Sequence, residues 1–361
     1  MRIIVTAGGT GGHIYPALAI INKLKELHND LSILYIGTTD RMEATLVPSL
    51  GNAYKGIKMK GLDRSHLLEN IHVYKYYKDA IKEAEKTILD FKPDVVVGVG
   101  GYITLPVIIA ASKHNIKTFI HEQNSIPGLS NKILKKKATC IGVSLEDSLK
   151  YFKGANAHFT GNPRSEEAIG ATPVDKTKYG LTPQKKLVLF VMGSLGSMTV
   201  TNSMKEIIPS FKDKDYEVLF VTGPKYFDSY KEVDVPSNVK LVPSLSDMLD
   251  VLKKTDLIVT RAGASTIAEI TVLGVPSIMI PSPYVTHNHQ EKNALLLEEK
   301  GCTRVIKEKE LSKDSLLNMI DKLITDDKLL KEMSDNNKKM GVKDSSTKIA
   351  HLIEELVGSE K

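Results

Sequence analysis

Two cysteines in 361 residues, Cys140 and Cys302, are too few and too far apart for a disulfide framework, and no CxxC pair offers a cysteine zinc site. That usage fits a reducing compartment. Long apolar runs are missing too: none approaches the roughly 20 residues that a membrane-spanning helix needs. No low-complexity block interrupts the chain. The opening Met1-Arg2-Ile3-Ile4-Val5-Thr6 enters a strand pattern directly, so no signal peptide is expected. What remains is a globular composition, 42% hydrophobic and 25% charged, at a length that suits two domains.

Charge is unevenly spread. The formal net charge is +6; residues 1–162 hold 21 Lys and Arg against 14 Asp and Glu, and residues 163–361 hold 28 against 29. A basic half can meet nucleic acid or an anionic membrane face. Its lysines are diluted by acids and no recognition module is present, so no nucleic-acid partner is expected. The stretch Lys55–Lys86 interleaves Lys58, Lys60, Arg64, Lys75, Lys78 and Lys82 with Tyr74, Tyr76, Tyr77 and Ile81, and Lys135-Lys136-Lys137 is a shorter run. Such a surface can rest on a bilayer. A solvated helix face is the alternative, because Glu69, Asp79, Glu83 and Glu85 lie among the lysines.

Strand-like runs alternate with amphipathic helical segments nearly throughout. The runs are Ile3–Ala7, Ile33–Gly37, Val95–Val99, Thr118–His121, Cys140–Val143, Leu187–Met192, Val218–Thr222, Val239–Val242, Leu257–Thr260 and Ser277–Ile280. Most are continuously apolar, as parallel strands covered on both faces are. This predicts doubly wound α/β architecture, with ligands beyond the carboxyl ends of the strands. A coarse repeat, strand then glycine-bearing turn, begins at Ile3 and again at Leu187, so a boundary is expected near Gly161-Asn162-Pro163. The expected domains are 1–162 and 163–340, with 341–361 ending in a helix at about Ser345–Leu356 that packs back on the first half.

The first glycine turn, Gly8-Gly9-Thr10-Gly11-Gly12-His13, lacks a dinucleotide fingerprint's third glycine, since Ile14 stands there, and lacks a P-loop lysine. Neither nicotinamide nor ATP is expected, and no cofactor is called for. Pro16 suits the first turn of a helix. His13 would then lie at a helix mouth, which disfavours the imidazolium and suits a base; a structural histidine is the competing reading. Gly98-Val99-Gly100-Gly101-Tyr102 and His121-Glu122-Gln123-Asn124-Ser125 follow two further strands. The second turn offers adjacent hydrogen-bonding side chains to a polyol or pyrophosphate, or merely satisfies itself.

The stretch Leu257–Asn293 carries the densest chemistry. Leu257–Thr260 feeds the small-residue turn Arg261-Ala262-Gly263-Ala264; Ser265 or Thr266 can cap a helix reaching about Leu273, and Gly274 stops it. A helix mouth after a strand is an anion site, because its first N–H groups are unpaired and carry partial positive charge. Glu269, one turn inside, can hold a diol, or close a capping box with Thr266. Gln290 and Asn293, three apart on the next helix, suit sugar hydroxyls. Asp213-Lys214-Asp215 matches a metal-binding D-x-D pattern but precedes a strand, the wrong end for a ligand. His287-x-His289 lacks a third ligand nearby, so no metal is expected.

GGTGGHIYPALA, GVGGYITLP, HEQNSIPGLSNK, TGNPR, GSLGS, RAGASTIAEI and HNHQEKNA span nearly the whole chain in order. Together they resemble the MurG family of bacterial cell-wall glycosyltransferases, which make lipid II. The resemblance implies two Rossmann-like domains facing a cleft (the GT-B arrangement) and inverting, metal-independent transfer of N-acetylglucosamine (GlcNAc). The donor would be UDP-GlcNAc. The acceptor would be the 4-hydroxyl of undecaprenyl-pyrophosphoryl-N-acetylmuramyl-pentapeptide, lipid I. It implies that Ser194, Ala264, Ser265 and Thr266 meet the donor diphosphate, Arg164 and Arg261 lie near the nucleotide, Leu245 reads uracil and Glu269 holds the ribose. Gln290 and Asn293 would meet the sugar. Thr10, Gly11, Gly12 and Asn124 are counted with the donor set as well. Gly11, Gly12, His13, Tyr102 and Asn124 would face the acceptor, with His13 the first candidate base and Glu122 the second. Residence at the cytoplasmic face of the cell membrane, as a peripheral protein with an anionic lipid surface and other cell-wall synthesis proteins as partners, is implied too. GSLGS departs from the relatives' GGSxGA, which bears on how that backbone approaches the diphosphate. Rival readings are a UDP-GlcNAc 2-epimerase, a glycosyltransferase for another lipid, and a non-catalytic nucleotide-sugar sensor.

Overall fold

The computed structural model describes residues 1–59, 70–193, 198–285 and 288–358. The chain forms two compact units, Met1–Glu166 with Asp344–Lys361, and Glu167–Lys343. Each is built on one parallel sheet.

In the first unit the strands are β1 (Arg2–Thr6), β2 (Ser32–Thr38), β3 (Ala53–Ile57), β4 (Val95–Gly98), β5 (Lys117–Glu122), β6 (Cys140–Val143) and β7 (Ala157–Phe159), in the order β3-β2-β1-β4-β5-β6-β7. β1 pairs in register with β2 (Ile4 opposite Leu34) and β4 (Ile4 opposite Val96). Side chains alternate between two buried faces. Ile3, Val5, Val95, Val97 and Phe119 pack with Ile20, Ile21 and Leu24 of the Gly11–Leu27 helix and with Ile349 and Ile353 of the Ser345–Gly358 helix. Ile4, Val96, Ile120 and Ile141 pack with Ala84 and Ile88 of the Asn70–Phe91 helix and Val107 and Ile108 of the Thr104–Lys113 helix. Each such side chain taken from water contributes about 1.5–3 kcal/mol. A strand buried on both faces cannot show polar alternation, which is why these segments read as unbroken apolar runs.

The second unit repeats the plan with β8 (Leu187–Val191), β9 (Glu217–Val221), β10 (Val239–Val242), β11 (Leu257–Thr260), β12 (Ser277–Met279) and β13 (Thr303–Val305), ordered β10-β9-β8-β11-β12-β13. Val188, Phe190, Val218, Phe220 and Val259 build one face; Leu187, Leu189, Leu219 and Ile258 build the other, against Ile267 and Ile270 of the Ala264–Leu273 helix.

Both sheets reverse their strand order beside their first strand, between β1 and β4 and between β8 and β11. Such switch points open a crevice at the carboxyl ends, because the loops leaving the two central strands run to opposite sides. All four turns leaving these strands carry glycine.

Three strands went unread in the sequence: β3, β7 and β13. All are outermost in their sheets. An edge strand buries less, so AYKGI, AHF and TRV mix polar with apolar residues and carry no unbroken run. Two helix starts also differ from expectation. The first helix begins at Gly11, which puts Pro16 in its second turn rather than its first. The helix at Ala264 is capped by Gly263, not by Ser265 or Thr266.

Candidate active site

At the first switch point the turns after β1 and β4 interlock. Gly8 N–H donates to Gly100 O at 3.3 Å. Gly101 has φ +86°, and a Cβ there would collide with the Gly8 carbonyl oxygen. Gly100 has φ +110°, and a Cβ there would collide with the His13 ring. The glycines therefore let two backbones and one imidazole share a space that holds no further side chain. Thr10 is the N-cap residue of the Gly11–Leu27 helix, in extended conformation, with no capping bond from its hydroxyl. Its Oγ1 lies 3.4 Å from His13 Nδ1. His13 is the third helical residue, and its N–H donates to Thr10 O at 3.1 Å. Among the described residues, no acceptor meets the Gly11 and Gly12 N–H groups, as expected of a helix mouth. Tyr102 is half-buried, its ring flanking Gly9.

Glu122, at the end of β5, is buried and fully engaged. Oε1 accepts from Asn124 N–H (2.9 Å) and Asn124 Nδ2 (3.2 Å); Oε2 accepts from Gly128 N–H (3.0 Å) and Asn131 Nδ2 (2.8 Å). Burial raises its pKa, against the pull of those four donors. Such a carboxylate shapes the Asn124–Gly128 turn. Each of its oxygens already accepts two hydrogen bonds from this segment, so the carboxylate braces the turn. Asn124 is half-buried, its NH2 turned back to Glu122. Arg164 stands in the first unit, its guanidinium 5.6 Å over the Tyr15 ring and its N–H bonded to Asn162 Oδ1 at 3.1 Å.

At the second switch point, β11 leads through Arg261-Ala262-Gly263 into the Ala264–Leu273 helix. Gly263 offers no side-chain cap. Ala264, Ser265 and Thr266 occupy the first three helical positions, where N–H groups point out of the helix. Ser265 Oγ is buried and, among the described residues, has no hydrogen-bond partner. Glu269 is the sixth helical residue, buried, and too far along to close a capping box, whose acid belongs at the third position. Gly274 ends the helix with φ +74°.

Two donor-side candidates turn out to be engaged within the fold. Arg261 is buried: Nη1 donates to Ile280 O at 2.8 Å and Nη2 pairs with buried Glu308 Oε2 at 2.6 Å. Its guanidinium ties the turn to the end of β12 and the segment after β13, and so supports the helix mouth from behind. Asn293 is fully buried in the His289–Glu299 helix and donates to Ala262 O at 3.4 Å. Gln290 is half-buried, its Oε1 accepting Ser282 N–H at 2.9 Å. Leu245 packs half-buried against the core beside Met248 and Leu249. Ser194, the GSLGS loop beyond Gly193, and His287 lie outside the described residues, as do Lys60, Arg64 and Glu69. Asp213-Lys214-Asp215 precedes β9, at the sheet's amino end. Among the described residues no group of three His, Cys, Asp or Glu could hold a metal ion, and no helix is long and apolar enough to cross a membrane.

Sequence reasoning missed two buried acids. Glu308 braces Arg261, and Glu43 accepts the Gly9 N–H at 3.2 Å. Neither belongs to a local motif; only the folded chain brings each to its turn.

Comparison with known proteins bears on the whole chain. Residues 3–143 match the glycosyltransferase family 28 N-terminal domain, and residues 187–349 the family 28 C-terminal domain. The chain is 42% identical to a Bacillus licheniformis protein (99% of each chain covered) and 40% identical to one of Bacillus cytotoxicus (99% of this chain, 100% of that one). Both are named UDP-N-acetylglucosamine–N-acetylmuramyl-(pentapeptide) pyrophosphoryl-undecaprenol N-acetylglucosamine transferase. The fold is similar to the crystal structure of Acinetobacter baumannii MurG, with a TM-score of 0.79 at 22% identity, covering 98% of this chain and 99% of that one.

Proposed function

The chain belongs to glycosyltransferase family 28, and from that premise we propose that it transfers GlcNAc from UDP-GlcNAc to the 4-hydroxyl of lipid I, giving lipid II. One observation carries the reading: each sheet sets a glycine turn and an open helix mouth at its strand-order reversal, one bearing His13 and the other Ser265 and Glu269. Two anion sites fit a reaction whose donor and acceptor both carry diphosphates.

The second unit is the donor side. The Ala264–Thr266 N–H groups and Ser265 Oγ take the diphosphate, and Glu269, displaced from any capping role, takes the ribose diol. Gln290 reads the sugar; Arg261 and Asn293 hold the frame. The first unit is the acceptor side, with the lipid pyrophosphate on the Gly11 and Gly12 N–H groups, beside Tyr102 and Asn124. The acceptor oxygen attacks the anomeric carbon, the bond to UDP breaks, and UDP leaves with the electron pair. The hydroxyl proton passes to His13. Charge growing on the diphosphate strengthens its bonds to the helix mouth, which lowers the barrier. Inversion follows from a single displacement. No metal or cofactor enters this scheme.

The basic first half supports peripheral contact with an anionic membrane face. Tyr74 is exposed with Lys78 Nζ 4.6 Å over its ring, and Leu129 and Ile133 are exposed beside Lys132 and Lys136.

The test is incubation with radiolabelled UDP-GlcNAc and a short-chain lipid I analogue in EDTA. Labelled disaccharide-lipid is expected, and His13→Ala should lose roughly 10²–10⁴ in kcat. Epimerised nucleotide sugar without acceptor, or transfer only to a different lipid, would overturn the acceptor reading; near-normal turnover by His13→Ala would overturn the base.

A further inference from the structure

The segment following β2 meets the first glycine turn with two successive residues, Met42 and Glu43, and Arg41 precedes them. Glu43 is fully buried. Its Oε2 accepts the Gly9 N–H at 3.2 Å, and its Oε1 accepts the Thr38 N–H at 3.1 Å and the Thr38 hydroxyl at 2.7 Å. A Cβ on Gly8 would collide with that same oxygen, so the glycine admits the carboxylate beneath the turn. The Met42 methyl comes within 4.0 Å of the Cβ position of Gly11. Arg41 is exposed. Its guanidinium lies beside the Tyr102 hydroxyl, the first cause of its raised pKa, and the Tyr102 ring in turn flanks Gly9.

This arrangement poses an electrostatic problem. A buried carboxylate under an anion-binding turn repels the anion, and two N–H groups with about half a helix-dipole charge offset it only in part. A cation is needed on the ligand's side of the turn. Arginine suits that place better than lysine, because its planar fork stays charged and can take two phosphoryl oxygens together. We infer that Arg41 is a phosphate-binding residue of the acceptor site, and that Glu43, two residues on, positions the Gly9 backbone so that the Gly11 and Gly12 N–H groups face the same ligand. The inference rests on the reading that a prenyl pyrophosphate occupies the first glycine turn.

The probe is geranyl diphosphate, bound to the full-length protein and followed by calorimetry at two salt concentrations, with transfer kinetics in parallel. Arg41→Ala should weaken geranyl diphosphate roughly 10–100-fold and lessen its salt dependence, while UDP binding is unchanged. KM for the lipid I analogue should rise in proportion, with kcat within about threefold, and Arg41→Lys should recover part of the loss. Glu43→Gln keeps the volume and the Thr38 bonds and removes the repelling charge, but it sets an NH2 against the Gly9 N–H; misplacing the turn should outweigh the lost repulsion, for a net weakening of geranyl diphosphate of roughly threefold. Wild-type affinity in Arg41→Ala, or no binding to the wild type, overturns the assignment of Arg41. A Glu43→Gln protein that melts earlier yet binds normally overturns the positioning role. If the wild type fails to glycosylate lipid I but binds geranyl diphosphate through Arg41, the phosphate site stands and the acceptor reading falls.

Discussion

Replacing Glu122 by glutamine separates a brace from a base. Its two oxygens accept four hydrogen bonds, from Asn124 (N–H and NH2), Gly128 N–H and Asn131 NH2. Glutamine keeps one oxygen and presents one NH2. The cheaper orientation leaves the oxygen on Gly128 and Asn131, because half-buried Asn124 can turn its side chain to water. The Asn124 N–H then loses its acceptor. One such unpaired group costs about 1–3 kcal/mol, and relief from burying a charge returns part of that, for a net loss of about 1–2 kcal/mol. Alanine strands every donor at once and should cost about 3–5 kcal/mol. Urea unfolding followed by circular dichroism reads both. In initial-rate assays across pH, the glutamine variant should keep kcat within about tenfold and leave the acidic limb of the profile in place, as the proposal that His13 takes the proton requires. A glutamine variant as stable as wild type that nonetheless loses roughly 10²–10⁴ in kcat would refute the brace and restore the base.

His121 makes acid destabilising. Gly161 O can only accept, so Nε2 carries the proton and donates at 3.0 Å, and Nδ1 accepts from Gln123 Nε2 at 3.2 Å. Full burial disfavours the imidazolium and pulls the pKa down to about 4. A folded pKa below the unfolded one leaves stability intact above about pH 6.5 and removes it as pH falls towards 4. Between pH 7.5 and 5 the loss is about 2 kcal/mol, read by denaturant titration at each pH. His121→Gln should remove this component, and an equal pH slope in the variant would count against it. Glu308→Leu leaves the Arg261 guanidinium buried without its partner, at about 3–5 kcal/mol, and should weaken UDP binding in calorimetry. The double variant Arg261→Met, Glu308→Leu should recover much of the stability but not the UDP affinity; recovery of both would mean the pair does not shape the donor turn.

What could be read from the sequence was what is continuous along it. Central strands are apolar without a break because both faces are covered, and the glycine turns are adjacent residues. What escaped was either half-covered, like the edge strands β3, β7 and β13, or assembled from afar. Glu43 meets Gly9 across 34 residues of sequence; it lies in the first turn of the Met42–Ser49 helix, where no local pattern marks an acid as anything but a complement to the helix dipole. The helix at Ala264 shows how a small displacement changes a chemical reading. With the cap at Ser265 or Thr266, a Thr266–Glu269 capping box was open, and Glu269 had an ordinary structural role. With the cap at Gly263, Thr266 is the third helical residue and Glu269 the sixth, a full turn beyond the exposed N–H groups. The carboxylate is then buried one turn below a helix mouth that lacks a side-chain cap. On the proposed function, that mouth is where the diphosphate binds, and the carboxylate one turn below it is where the attached diol is held.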